Sequence, residues 1–132
     1  MRIRFLFLLI TTVFFLNCSA LKDNQERECE STAMALVSEV NGLSETEVNK
    51  PVVLKVSFPV KNGCGNFNKF IETKKGKTST IEVEAIYKGC YCTMNIPTII
   101  ANYTFTPSEV GTYTLRFKSA EDAFVEKVIT VN

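Results

Sequence analysis

Five cysteines and no histidine set the chemistry open to this 132-residue chain. Without an imidazole, every Ser-His or Cys-His nucleophile arrangement is excluded. Glu82 and Glu84 stand two apart on one face of a strand pattern, close enough to perturb each other, but carboxylate pairs on a solvent face more often solubilise than catalyse. The chain is therefore expected not to be an enzyme. A sharper cluster is "GCYCTM", residues 89–94. Cys64, Cys90, Cys92 and Met94 form a soft-ligand set that would suit Cu(I), and three or four thiolates would suit Zn(II). The missing histidine removes the commonest helper ligand for either metal. A redox-active pair would be a Cys-x-x-Cys at a helix start, and no such motif is present. The reading preferred here is structural: Cys29, Cys64, Cys90 and Cys92 form two disulfides, with no metal and no cofactor.

That count of four depends on Cys18. Arg2 and Arg4 precede an apolar run, Phe5 to Leu16, broken only by two threonines. At about a dozen residues it is too short to cross a bilayer and suits the apolar region of a signal peptide. The run ends in "FLNCSA". This resembles the lipobox of bacterial lipoproteins, in its looser form the one found in Bacteroidota, and the resemblance implies that Cys18 is acylated and becomes the first mature residue. Residues 1–17 would then be signal peptide and Cys18 a palmitoylated membrane anchor. Ser19 resembles the sorting signal for the outer membrane. The mature chain would have 115 residues, with 13 Lys+Arg against 14 Asp+Glu. Such a balance argues against a nucleic-acid partner. Residues 18–32, through "SALKDNQERECEST", lack strand periodicity and read as a polar tether. Fully extended, a dozen residues of it would hold a domain about 40 Å from the bilayer.

The elements that must position the remaining cysteines are strands. From residue 33 to 132 short runs of Val, Ile, Thr, Phe and Tyr alternate with turn residues, and no helical stripe persists. Seven strands are expected. The first covers Met34 to Val40, and the second follows Pro51 with Leu54, Val56, Phe58 and Val60 inward and Pro59 at its end or at a bulge. The third runs Phe67 to Thr73, and the fourth turns Ile81, Val83, Ala85 and Tyr87 inward with Glu82 and Glu84 outward. The fifth starts near Pro97 and aligns Ile99, Ala101, Tyr103 and Phe105. The sixth turns Tyr113, Leu115 and Phe117 inward. The seventh, Phe124 to Val131, places Lys127 on the face of Val125, Ile129 and Val131, a conflict that a bulge would resolve.

Seven such strands predict an all-β sandwich. In "PSEVGTYTLRF", Glu109, Gly111 and Tyr113 resemble the tyrosine corner of immunoglobulin-like domains, which implies a Tyr113 hydroxyl bonded back to the turn before it. Leu115 stands where antibody domains have a cysteine, and the chain has no tryptophan, so the kinship is with the broader immunoglobulin-like or fibronectin-type architecture. Taken whole, the chain resembles the small immunoglobulin-like lipoproteins of Bacteroidota. In that architecture the loops after the second, fourth and sixth strands gather at one end, where the first strand begins. Cys29, Cys64, Cys90 and Cys92 would all lie there. Cysteines with a single residue between them rarely bridge each other, which leaves Cys29–Cys90 with Cys64–Cys92, or Cys29–Cys92 with Cys64–Cys90.

The function expected is a membrane-anchored, non-catalytic interaction module of the cell envelope, binding an envelope protein or glycan through its loops. Asn66, Phe67, Tyr91 and Thr93 are the candidate surface, and Tyr87, Tyr91 or Phe67 could stack on a sugar. A structural envelope lipoprotein without a soluble ligand is the alternative, and a copper or zinc protein a third. Asn102-Tyr103-Thr104 is a glycosylation sequon, incidental in a bacterial lipoprotein.

Overall fold

The computed structural model describes residues 29–132. Cys18, the signal peptide and most of the expected tether lie outside them. The architecture is an all-β sandwich of nine strands: β1 (Glu30–Ala35), β2 (Glu39–Asn41), β3 (Glu45–Thr46), β4 (Val52–Pro59), β5 (Gly65–Lys75), β6 (Thr78–Lys88), β7 (Thr98–Phe105), β8 (Gly111–Lys118) and β9 (Phe124–Val131). Six of them form one sheet, in the order β1-β6-β8-β9-β3 with β5 also on β6, and β2-β4-β7 form the other.

Alternation in sequence becomes alternation in burial. Along β6, Ser79, Ile81, Val83, Ala85 and Tyr87 are buried while the residues between them are half-exposed. β4 buries Val52, Leu54, Val56 and Phe58, and Pro59 closes that strand as its missing N–H requires. Between the sheets an aromatic row runs Phe58, Phe67, Phe70, Tyr103 and Phe117, with successive ring centroids 6.3, 4.7, 5.3 and 5.5 Å apart. Phe67 and Phe70 are three residues apart, so an unbroken strand would send them to opposite faces. A bulge between Phe67 and Lys69 absorbs one residue and turns both inward.

The two extra strands come from the N-terminal stretch, which divides its pairing between the sheets. β1 runs antiparallel to residues 83–88 of β6. Val37 then donates its N–H to Lys118 O at 2.9 Å, Ser38 N–H reaches Ser57 O at 2.8 Å, and β2 continues on β4 in the opposite sheet. β3 ends the stretch as a two-residue parallel pair on β9. β1 begins at Glu30, inside the segment read as tether, because residues 83–88 of β6 offer it an open stretch of edge.

The pairing of β6 also differs from the seven-strand scheme. There the fourth strand lies beside the fifth; here β6 pairs in parallel with β8 through Thr78–Ile81 and shares its sheet with β9. β1 takes the rest of that edge of β6. The turn after β8 therefore stops beside the end of β1, and it does not join the cysteine end as the sequence suggested. Lys127 is not relieved by a bulge either, since β8 and β9 stay in continuous register with Leu115 opposite Lys127. Its long stem lies half-buried on the inner face, and Nζ donates to Gly42 O at 2.8 Å.

Candidate functional site

Three pieces of chain meet beyond the upper ends of β4, β5 and β6: the start of β1, the β4–β5 connection and the β6–β7 connection. Disulfides join them as Cys29–Cys90 and Cys64–Cys92, with Cα–Cα distances of 4.9 and 5.4 Å, inside the usual disulfide range. This is one of the two connectivities left open by the sequence. It takes up all four thiols, so the thiolate set needed by the Cu(I) or Zn(II) alternative is not offered. Met94, its fourth ligand, points into solvent at 95% exposure.

Backbone bonds fix the loops between the bridges. Gly89 N–H donates to Cys29 O at 2.9 Å, Gly63 N–H to Thr93 O at 3.0 Å and Val60 N–H to Pro97 O at 3.0 Å. Asn62 Oδ1 accepts Cys64 N–H at 3.0 Å, the side-chain turn that favours Asn at such a bend. The β4–β5 and β6–β7 connections approach so closely that a Cβ on Gly63 would run into Thr93 Oγ1. Tyr87, buried at the end of β6, accepts Lys61 N–H on its hydroxyl at 3.0 Å. Between these pieces lies a shallow concavity of about 440 Å³ lined in part by Ser31, Thr32, Lys61, Asn62 and Tyr87.

The expected surface residues divide. Tyr91 and Thr93 share the exposed β6–β7 connection, and Tyr91 is 99% exposed. Asn66 is exposed on the outer face of β5. Phe67 belongs to the interior row and is not a surface anchor, because the bulge turns it inward. Tyr87 is buried with its hydroxyl engaged, which leaves Tyr91 as the ring free to stack on a ligand among the three considered. Ile96, at 69% exposure, adds an apolar side chain to the same connection. Sequence reasoning passed over Ile96 and took Met94 only as a ligand. The available signal was three large apolar residues, Tyr91, Met94 and Ile96, within six residues of a connection between strands.

The paired carboxylates have partners. Glu82 Oε1 accepts Lys118 Nζ at 3.0 Å, and Glu84 Oε1 accepts Asn68 Nδ2 at 2.6 Å with Lys69 nearby at 3.6 Å. Tyr113 Oη donates to Glu109 O at 3.0 Å, the tyrosine-corner bond the sequence implied. The titration that departs from normal is inside the sandwich: burial holds the Tyr103 hydroxyl above the usual phenol range, and the charge and hydrogen bond of Glu72 push it the same way.

No curated protein and no solved structure matches the chain. A family model does: that of the ORF11 beta-sandwich domain, over residues 54–131, which takes in Cys64, Cys90 and Cys92 but not Cys29.

Proposed function

The chain belongs to the ORF11 beta-sandwich domain family, and from that premise we propose that it is a lipid-anchored, non-catalytic interaction module of a bacterial cell envelope. Cys18 is its acylated anchor, and the disulfide-stapled end is the face it presents to an envelope protein or glycan. The observation that carries this reading is the placement of Tyr91 and Met94. Both are almost wholly exposed, yet they sit on a connection locked by two disulfides and a lattice of backbone bonds. Large apolar side chains held in water on a rigid loop are a recognition surface ready for use, with little backbone ordering entropy left to lose on binding.

The test is affinity capture of the full-length lipidated chain from its own envelope, compared with the Tyr91→Ala/Met94→Ala double variant. Neither side chain supports the core, so the variant should fold normally while losing the captured partner. A partner retained at the wild-type level would move the binding surface elsewhere. Recovery of bulk envelope alone by the wild type would favour the structural-lipoprotein reading.

A further inference from the structure

The inward row of β6 starts on a polar residue. Ile81, Val83, Ala85 and Tyr87 follow one another inward along the strand, and Ser79 precedes them on the same face, only 6% exposed. Its hydroxyl makes no hydrogen bond to another described residue. Every side-chain oxygen sealed from solvent among those residues has a partner, so this hydroxyl opens on the space beside it. That space is a cavity of about 390 Å³ at the mouth of the sandwich where β6 starts and β7 ends, opposite the stapled end. It has the size of a small-molecule site.

Strand pairing brings two lysines to this mouth. Lys74 lies directly across from Ser79 on β5, with Glu72 Oε1 3.7 Å from its Nζ and most of its side chain exposed. Lys77 leaves the β5–β6 turn and crosses to the β7–β8 connection. There its Nζ donates to Val110 O at 2.6 Å and stands 5.5 Å from the centre of the Tyr113 ring. Gly111 leaves room for it, since a Cβ there would run into Nζ. Val110 takes one of the three ammonium protons, so two remain for a ligand. Glu109 lines the same cavity and has no ion-pair partner among the described residues. The lining thus carries two positive charges against one negative. Phe105, Pro107 and Tyr113 form its apolar wall, and the hydroxyls of Thr106 and Ser108 stand at its exposed rim.

We propose that this cavity binds a small hydroxylated carboxylic acid of the size of one sugar ring. The excess of one positive charge matches a single carboxylate, which Lys77 and Lys74 hold by charge-assisted hydrogen bonds. Glu109 repels a second negative charge on the ligand and accepts a hydrogen bond from one of its hydroxyls instead. Ser79 is the buried polar group of the lining, so a ligand hydroxyl that reaches it is fixed in depth as well as in orientation. The apolar wall takes the C–H face of the ring, and the rim hydroxyls meet the oxygens left at its edge. Apolar walls with a few converging polar groups are how sites for small polar ligands are built.

The experiment is titration of the full-length, detergent-solubilised chain with glucuronate, followed by calorimetry and by amide chemical shifts, with glucose and inorganic phosphate as comparisons. Glucuronate should bind saturably, with shifts confined to residues 74–79 and 105–113, and about tenfold or more tightly than either comparison. Ser79→Ala removes a hydroxyl that bonds to nothing else in the fold, so it should weaken glucuronate by about tenfold at an unchanged melting temperature. Lys77→Met should erase the preference for glucuronate over glucose. No saturable binding, equal affinity for glucose or phosphate, or wild-type binding by Ser79→Ala would each overturn the proposal. The Tyr91→Ala/Met94→Ala variant should bind glucuronate as the wild type does, which reads this cavity separately from the stapled end. Loss of binding in that variant would move the ligand to the stapled end and overturn this site.

Discussion

At the scale of single residues, the sandwich is set by which side chains of each strand face in. Phe117 on β8 is fully buried and meets Tyr103 edge-on, while its neighbour Lys118 reaches out to Glu82. Phe117→Ala should therefore cost about 3–5 kcal/mol in denaturant melts, and Lys118→Ala no more than about 1 kcal/mol. Equal losses would mean the register of β8 is wrong. Tyr103 sets an alkaline limit. Its folded phenol is raised, so above the ordinary tyrosine range, about pH 10, the unfolded chain ionises first and stability falls as pH rises further. Below that pH the contribution is fully present. Tyr103→Phe should flatten this alkaline loss in melts followed from pH 8 to 11. Facing was legible in sequence wherever period-two alternation ran unbroken, as in β4, β6 and β8. It failed at Phe67, because a bulge leaves no mark on composition and only the partner strand reveals it.

At the scale of elements, the gathering of the cysteines was legible and the path of the N-terminal stretch was not. The cysteine positions needed only the ends of β4, β5, β6 and β7, which turn residues announce. The division of β1 and β2 between sheets depends on edges left open by β6 and β4, which local sequence does not encode. The parallel pairing of β6 with β8 is likewise a long-range choice. The two bridges span 61 and 28 residues. Loop-closure entropy values them at about 3–5 kcal/mol each, a large share of a small domain's stability of about 5–15 kcal/mol. Peptide mapping of oxidised protein with chymotrypsin, which cuts at the exposed Tyr91 between Cys90 and Cys92 where trypsin has no site, should recover Cys29–Cys90 and Cys64–Cys92 and no free thiol among the four. Reductant should lower the melting temperature, and a chelator should leave it unchanged. Recovery of Cys29–Cys92 with Cys64–Cys90 would contradict the structure of the stapled end.

At the scale of the whole molecule, the proposed envelope anchor is what a single substitution can test. Replacing Cys18 by Ala should abolish palmitate incorporation and detergent-phase partitioning, and wild-type partitioning by the variant would end the lipoprotein reading. An anchor at Cys18, as proposed, would pull on the domain from the N-terminal side of Cys29, which would give the Cys29–Cys90 bridge a mechanical meaning. β1 is held to β6 by a ladder that begins at Glu30 opposite Lys88, and each of its hydrogen bonds contributes only about 0.5–1.5 kcal/mol. Tension arriving from the N-terminal side would otherwise load that first rung alone, then the next, and peel β1 away in sequence. With Cys29 bonded to Cys90, the load crosses a covalent link into the β6–β7 connection before it reaches the ladder, and the strand is spared. Cutting this one bond should leave the resting fold little changed and yet lower the force at which β1 comes off.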